Sequence, residues 1–210
     1  MKIASIELSS IYKEIRSNYP KGCAPPPLPE RDDEPYVKYR KSYKQVIEDI
    51  PTTNGVYLWY AVNPVNQVEY VYVGESHGNK SGLRGRLDDE FRRIYHGFWA
   101  TAFKSDKYLE ETITVFGDRT KYNPKKSYET DIRNDYERRG ATHVVFCHDV
   151  PAQLNVVAVQ NDLIQLFNNP RGNIKDVRTK PLPESQLSAE AKSIYKLFCQ
   201  AVQSSQPYVI

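Results

Sequence analysis

Two short stretches decide the fold of this chain: VYLWYA at residues 56–61 and VEYVYV at residues 68–73. Both are rich in β-branched and aromatic residues, which favour strands. Between them, Asn63, Pro64 and Asn66 supply residues typical of turns. The two stretches therefore predict a β-hairpin.

The run LRGRLDDEF, residues 83–91, follows the hairpin and has a leucine or phenylalanine at every fourth position. This spacing predicts a helix with one apolar side, and Arg86 lies on it. Packing of that helix against the hairpin would bring the hydroxyls of Tyr57 and Tyr72 close to the guanidinium of Arg86. Such a patch would suit a phosphate and an attacking water.

The rest of the chain predicts one further strand and several helices. The predicted elements are an N-terminal helix at 3–16, a proline-rich connector at 20–35, a helix at 36–49 that ends before Pro51, a strand at 143–147, and helices at 156–167 and 188–202. The predicted fold class is α+β, with a three-stranded, largely antiparallel sheet flanked by helices. The expected division is an N-terminal arm at 1–52, a core at 53–175 and a C-terminal extension at 176–210, together forming one unit.

The tripeptides GVY at residues 55–57 and YVG at residues 72–74 resemble the pair that names the GIY-YIG nuclease superfamily. The resemblance continues through the helix that carries Arg86 to a later helix that contains Leu163-Ile164, with Pro170 and Asn173 beyond it. It covers residues 53 to 173. Either tripeptide alone is a weak signal, whereas four elements in the family's order are more specific.

The resemblance implies hydrolysis of a phosphodiester bond with one divalent metal ion per active site, Mg²⁺ or Mn²⁺. It implies that one strand tyrosine deprotonates or orients the water, and we predict Tyr57 for this base, with Tyr72 beside it. By the same resemblance, Arg86 steadies the scissile phosphate and a helix glutamate binds the metal. A tyrosine is a poor base at its ordinary pKa, so Tyr57 would need a nearby cation.

The metal position departs from the family pattern, because the residue three before Leu163 is Gln160 rather than glutamate. A carboxamide lacks the charge that a hard divalent cation favours, so catalysis should fall steeply or vanish. Three explanations remain open: a Glu→Gln substitution made to trap uncut substrate, a natural variant that uses Asp162, and a natural inactive enzyme. Asp162 lies about 200° around the helix from position 160, which counts against the second.

Other site residues are secondary candidates. Relatives commonly carry histidine or tyrosine four residues after the arginine, where this chain has Glu90, and the pair Arg92 and His96 offers a rival register with the same spacing. Lys80 could add positive charge at the phosphate, although a loop lysine is more often solvated. Asn173 is either functional or a turn former.

Composition is that of a globular protein with a weak basic bias. The 210 residues carry a formal net charge of +3, which alone does not indicate nucleic acid. A basic stretch predicted to bind DNA is also compatible with an ordinary salt-bridged helix; its candidate residues are Lys121, Lys125, Lys126 and Arg133. Three scattered cysteines and an N-terminus without an apolar signal core lead us to expect a cytoplasmic protein without a membrane segment.

These features predict a sequence-specific endonuclease for double-stranded DNA, most like a stand-alone type II restriction enzyme. By analogy, the segments around the core would form a homodimer on a palindromic site. The alternatives are a non-catalytic DNA-binding module with the same fold and a repair or mobile-element nuclease. A repair or mobile-element nuclease would usually carry a further DNA-binding domain, which this sequence does not indicate.

Overall fold

The computed structural model of the chain describes residues 1–8, 41, 44–62, 67–77, 81–95, 141–173, 178 and 180–205, with side chains except at 92–95 and 171. Several predictions lie outside these residues. They concern residues 9–16 of the N-terminal helix, the connector at 20–35, half of the helix at 36–49, the Arg92 side chain, and Lys80, His96, Lys121, Lys125, Lys126 and Arg133.

The described part is α+β, as predicted, and is built on one antiparallel sheet. The strands are β1 (Lys2–Glu7), β2 (Gly55–Val62), β3 (Val68–Ser76) and β4 (His143–His148), in the order β1-β4-β2-β3. The hairpin is formed by β2 and β3, as predicted, and β4 pairs with β2 on its other side.

The predictions of a three-stranded sheet and of a helix beginning at Ile3 were wrong. Residues Lys2 to Glu7 form a fourth strand that pairs with β4 from Lys2↔His148 to Glu7↔His143. The isoleucines at positions 3 and 6 have helical spacing, but β4 offers a free edge, and the backbone hydrogen bonds of that edge decide the local structure. The N-terminus therefore belongs to the sheet.

Three helices pack on the sheet, close to the predicted positions. They are α1 (Gly82–Tyr95), α2 (Val156–Leu166) and α3 (Ala189–Gln203). Residues 44–49 are also helical and end before Pro51, in agreement with the predicted stop. Ser188 caps α3 by accepting a hydrogen bond from the backbone N–H of Ala191. Among the described helices, none is long and apolar enough to cross a membrane.

The two faces of the sheet have separate apolar cores. On one face α1 contributes Leu87 to a cluster that also includes Tyr57 and Trp59 of β2. On the opposite face α2 and α3 pack against a cluster that includes Leu58 and Val73. Alternation along each strand divides the residues between the two faces. Tyrosine 57 and valine 73 thus project to opposite sides of the same hairpin.

A β-bulge interrupts the hairpin at Val71. Trp59 pairs with Tyr72, whereas Tyr60 pairs with Tyr70, so Val71 is an extra residue on β3. Val71 and Tyr72 both lie with the α1 cluster, while Tyr70 lies with the opposite cluster. Tyr72 pairs with Trp59 and so shares the face of Tyr57, and the bulge places Tyr70 on the opposite face.

Candidate active site

The two tripeptides meet through a tyrosine and a glycine. Tyr57 on β2 pairs with Gly74 on β3, and a Cβ atom added to Gly74 would lie 2.1 Å from Cζ of Tyr57. Only glycine at position 74 leaves room for the ring. The ring centroids of Tyr57 and Tyr72 are 6.2 Å apart, so both predicted tyrosines belong to one group.

Arg86 joins this group from α1. Its Nε donates a hydrogen bond to the hydroxyl of Tyr57 over 3.0 Å and lies 3.1 Å from Oε1 of Glu90, one helical turn along. The neighbouring Arg84 is used differently, since it donates to the carbonyls of Ile50 and Glu48. Of these two arginines on α1, Arg86 is the one beside the tyrosines.

Glu90 is the centre of the cluster, and sequence reasoning missed this role. Its side chain is 0% exposed, and its carboxylate accepts from the hydroxyl of Tyr57 and, over 2.9 Å, from Nε1 of Trp59. Two signals could have revealed it. Arg86 and Glu90 are four apart on a helix, and Tyr57 and Trp59 are two apart on a strand. Each pair shares one face.

The electrostatics of the cluster keep a proton on Tyr57. Burial, and then the charge of Glu90, raise the pKa of Tyr57 well above its ordinary value. Burial raises the pKa of Glu90 to about 7, although Arg86 and the hydrogen bonds from Tyr57 and Trp59 act in the opposite direction. Burial opposes the charge on Arg86, but Tyr57 and Glu90 raise its pKa overall. Above pH 7 the phenol donates and the carboxylate accepts.

The burial of Tyr57 bears on its predicted role as the base. Tyr57 is 0% exposed, and its hydroxyl lies between Glu90 and Arg86. In this arrangement water does not reach the oxygen, and the raised pKa opposes loss of the proton. Tyr72, in contrast, is partly exposed. The two tyrosines thus differ in exposure: Tyr57 is fully buried and Tyr72 is partly exposed.

Gln160 and Asn173 meet at the second tripeptide, on the outer edge of β3. Asn173 is buried, accepts from the backbone N–H of Val73 and donates to the carbonyl of the same residue, both over 2.8 Å. Gln160 donates from Nε2 to the same carbonyl over 3.0 Å. An edge strand has backbone groups without a strand partner, and these two amides supply partners for Val73.

Glycine 172 lets the turn that carries Asn173 approach β3. A Cβ atom at that position would lie 2.9 Å from the carbonyl oxygen of Val71 and 3.0 Å from Cβ of Tyr72. Residues Arg171–Asn173 form one turn of 3₁₀ helix against the strand. Close backbone approach is thus what allows the Asn173 side chain to reach Val73.

Gln160 and its surroundings do not fit a divalent metal ion. The carboxamide of Gln160 is neutral and already uses its N–H on the carbonyl of Val73, whereas Mg²⁺ favours carboxylate oxygens. Within the described ranges, no three histidine, cysteine or acidic residues are grouped to hold a metal. Asp162 does not replace the missing charge, because it is bound by Arg178 over 2.6 Å and by the backbone N–H of Ser188 over 2.9 Å.

The sequence-predicted residues therefore fall into two groups on either side of β3. Tyr57, Tyr72 and Arg86 share the α1 face, and Gln160 and Asn173 meet at the strand edge. The register of Arg92 and His96 stays a prediction, as it lies outside the described side chains. No protein-family model matches the chain, and searches of curated proteins and of solved structures give no match.

Proposed function

We propose that the chain is a DNA endonuclease of the GIY-YIG type in which Gln160 occupies the metal-ligand position, so that the protein as written binds duplex DNA without cutting it. One observation carries the proposal. Arg86 donates to Tyr57 beside Tyr72 on one face of the hairpin, and the amide of Gln160 donates to the carbonyl of Val73, the residue after Tyr72. This grouping of residues far apart in sequence is what supports the proposal.

Arg86 is the proposed phosphate ligand. Its side chain is 37% exposed, and guanidinium binds phosphate oxygens with paired hydrogen bonds. A tyrosine beside it would hold the attacking water in line with the phosphorus, since phosphoryl transfer depends mainly on positioning and charge stabilisation. These roles need no group other than side chains already in the cluster.

The metal requirement is proposed only for the Gln160→Glu form. A glutamate there would place a carboxylate against the carbonyl of Val73 and lose the hydrogen bond that Gln160 donates. We expect this to destabilise the fold by about 1 kcal/mol without metal. Mg²⁺ or Mn²⁺ would relieve the repulsion by binding the new carboxylate.

The DNA partner and the assembly are part of the same proposal. A restriction enzyme that acts on a palindromic site would bind it as a homodimer, because a two-fold axis relates both half-sites. Cys147 and Cys199 are both free thiols, which agrees with action in the cytoplasm.

The deciding experiment is cleavage of a long, sequence-diverse duplex by the chain as written and by Gln160→Glu, each with Mg²⁺ and with EDTA. We expect discrete fragments only from the glutamate form with Mg²⁺, and their ends would give the recognition sequence. In parallel, Mg²⁺ should raise the melting temperature of Gln160→Glu and not that of the unchanged chain. Gln153→Glu, an exposed glutamine before α2, is the control for added charge.

A non-catalytic DNA-binding module is the second candidate, and the geometry of Gln160 favours it specifically. The carboxamide suits its backbone partner without any metal, as expected if position 160 serves the fold. DNA binding by both forms, with no cleavage and no Mg²⁺-dependent stabilisation of Gln160→Glu, would select this module. Absence of DNA binding by either form would reject both candidates.

A further inference from the structure

Glu90 combines features that a purely structural carboxylate does not need. It is fully buried, yet the group beside it is Arg86, whose side chain is 37% exposed. The cluster therefore links a sealed carboxylate to a cation that reaches the surface. Burying an ion is costly unless it is paired and hydrogen-bonded, and an apolar residue would fill the same space more cheaply.

One hydrogen bond, to Tyr57, and one ion pair, with Glu90, fix the orientation of Arg86. Both contacts that the described residues give to Arg86 use Nε: one to the hydroxyl of Tyr57 and one to Oε1 of Glu90. Guanidinium is planar, with its donors in a rigid fork. The hydrogen bond to Tyr57 and the ion pair with Glu90 hold the Nε side of the plane towards the core, so the terminal nitrogens lie on the far side.

The two tyrosines differ in what they can reach. The hydroxyl of Tyr57 is spent on Glu90 and Arg86 within the core. Tyr72 is partly exposed and lies beside it, with 6.2 Å between ring centroids. A ligand that arrives at Arg86 from the surface would therefore meet Tyr72 before Tyr57.

Building on the proposed function, we propose that Glu90 is a positioning residue that aims Arg86 at a DNA phosphate, with Tyr57 as part of this support and Tyr72 as the tyrosine that contacts the phosphate. Trp59 completes the arrangement by holding the second oxygen of Glu90. The assignment differs from the sequence-based prediction, because Tyr57, the expected base, becomes a buried support and Tyr72 becomes the tyrosine that contacts the ligand.

The proposal and a simple charge argument predict opposite signs for one variant. Glu90→Gln removes a negative charge close to the proposed phosphate, so charge alone predicts tighter DNA binding. If Glu90 instead orients Arg86, the variant should bind mixed-sequence 30-bp duplex about five- to tenfold more weakly, as expected for a lost phosphate contact. It should also lower the slope of log affinity against log salt by about 1.

NMR of the arginine Nε–H groups separates this proposal from the proposed function. In the unchanged chain, the Nε–H of Arg86 should exchange slowly with water, as should that of Arg84, which donates to the carbonyl of Ile50 over 2.8 Å. Glu90→Gln and the shorter Glu90→Asp should both speed the exchange of Arg86. Arg84 is the internal control and should be unaffected while the fold is intact.

The outcomes are distinct. The proposal is supported if Arg86 loses protection in the Glu90 variants, if DNA binding weakens in them, and if Tyr72→Phe weakens binding more than Tyr57→Phe. Tighter binding by Glu90→Gln, or fast Arg86 exchange in the unchanged chain, would overturn it. If DNA does not bind at all, the proposed function fails and with it the phosphate as ligand, while the exchange rates still decide whether Glu90 holds Arg86.

Discussion

The α1 face and the outer edge of β3 solve the same problem, burial of polar groups, in two different ways. On the α1 face, Tyr57, Arg86 and Glu90 form a cluster in which each residue is a hydrogen-bond or ion-pair partner of the other two. At the edge, the neutral amides of Asn173 and Gln160 partner the backbone of Val73. The charged solution should respond to pH and to the loss of one partner, whereas the neutral one should respond mainly to geometry.

The steric fit between the hairpin strands should give the largest effect. Gly74→Ala would place a methyl group 2.1 Å from the Tyr57 ring, and both strands hold that ring in place. We expect a loss of about 3 kcal/mol or more, measured by urea unfolding. Tyr57→Leu should lessen the penalty in the double variant, because it removes the ring atoms that clash. Equal penalties in both backgrounds would mean that the backbone, and not the ring, requires glycine.

At the strand edge, Asn173→Ala should have the largest effect. It removes both hydrogen bonds that the side chain makes to Val73 and leaves the buried N–H without its acceptor. We expect a loss of about 2 kcal/mol in unfolding free energy, with little change between pH 5 and pH 8. Asn173→Asp would place a buried carboxylate against the carbonyl of Val73, so it should cost more near neutral pH than at low pH, where the protonated acid can donate to that carbonyl. A strongly pH-dependent loss for the alanine variant would break the comparison.

The charged cluster should make stability depend on pH in a known direction. The folded protein binds a proton at Glu90 more tightly than the unfolded chain does, since burial raises the pKa from 4.5 to about 7. Stability from this group is therefore complete below pH 4.5 and is lost as the pH rises towards 7.

His143, whose pKa burial lowers from 6.5, changes stability in the opposite sense over part of this range. The contribution of Glu90 is therefore measured as the difference between the unchanged chain and Glu90→Gln. We expect the unfolding free energy of the unchanged chain, relative to that of the variant, to fall by about 3 kcal/mol from pH 4.5 to pH 8. A constant difference would show that Glu90 does not titrate in this window.

The smallest effect should come from Gln160→Ala. The carbonyl of Val73 keeps its hydrogen bond from Asn173 when Gln160 is truncated, so we expect a loss of about 0.5–1 kcal/mol that does not vary with pH. Thermal unfolding at pH 5 and pH 8 checks this. A loss larger than that for Asn173→Ala would show that Gln160, and not Asn173, contributes more to the stability of the strand edge.

Sequence reasoning located most of the elements because their signals are local. The β-branched and aromatic residues at 56–61 favour a strand, and the apolar residue at every fourth position of 83–91 marks the side of a helix that faces the core. The strand at Lys2–Glu7 was missed, since it is specified by pairing with β4 and not by its own residues. Strand pairing between residues about 140 positions apart cannot be recognised from a local sequence pattern.

The candidate site was predicted less completely than the fold. The grouping of Tyr57, Tyr72 and Arg86 followed from the predicted hairpin and helix, but Glu90 entered only as a departure from the family pattern. Its partners Tyr57 and Trp59 lie more than thirty positions away. Whether a carboxylate is solvated or buried depends on which faces pack together, and this is set by the tertiary structure.

The extra residue at Val71 divides β3 into two phases of alternation. Tyr70 and Tyr72 occupy opposite faces although they are two apart. Deletion of Val71 would make them neighbours and leave each on its present face, whereas deletion of Val73 would move Tyr72 to the face opposite the α1 cluster. Strand β3 can therefore lose this one residue while Tyr57 and Tyr72 keep their orientation.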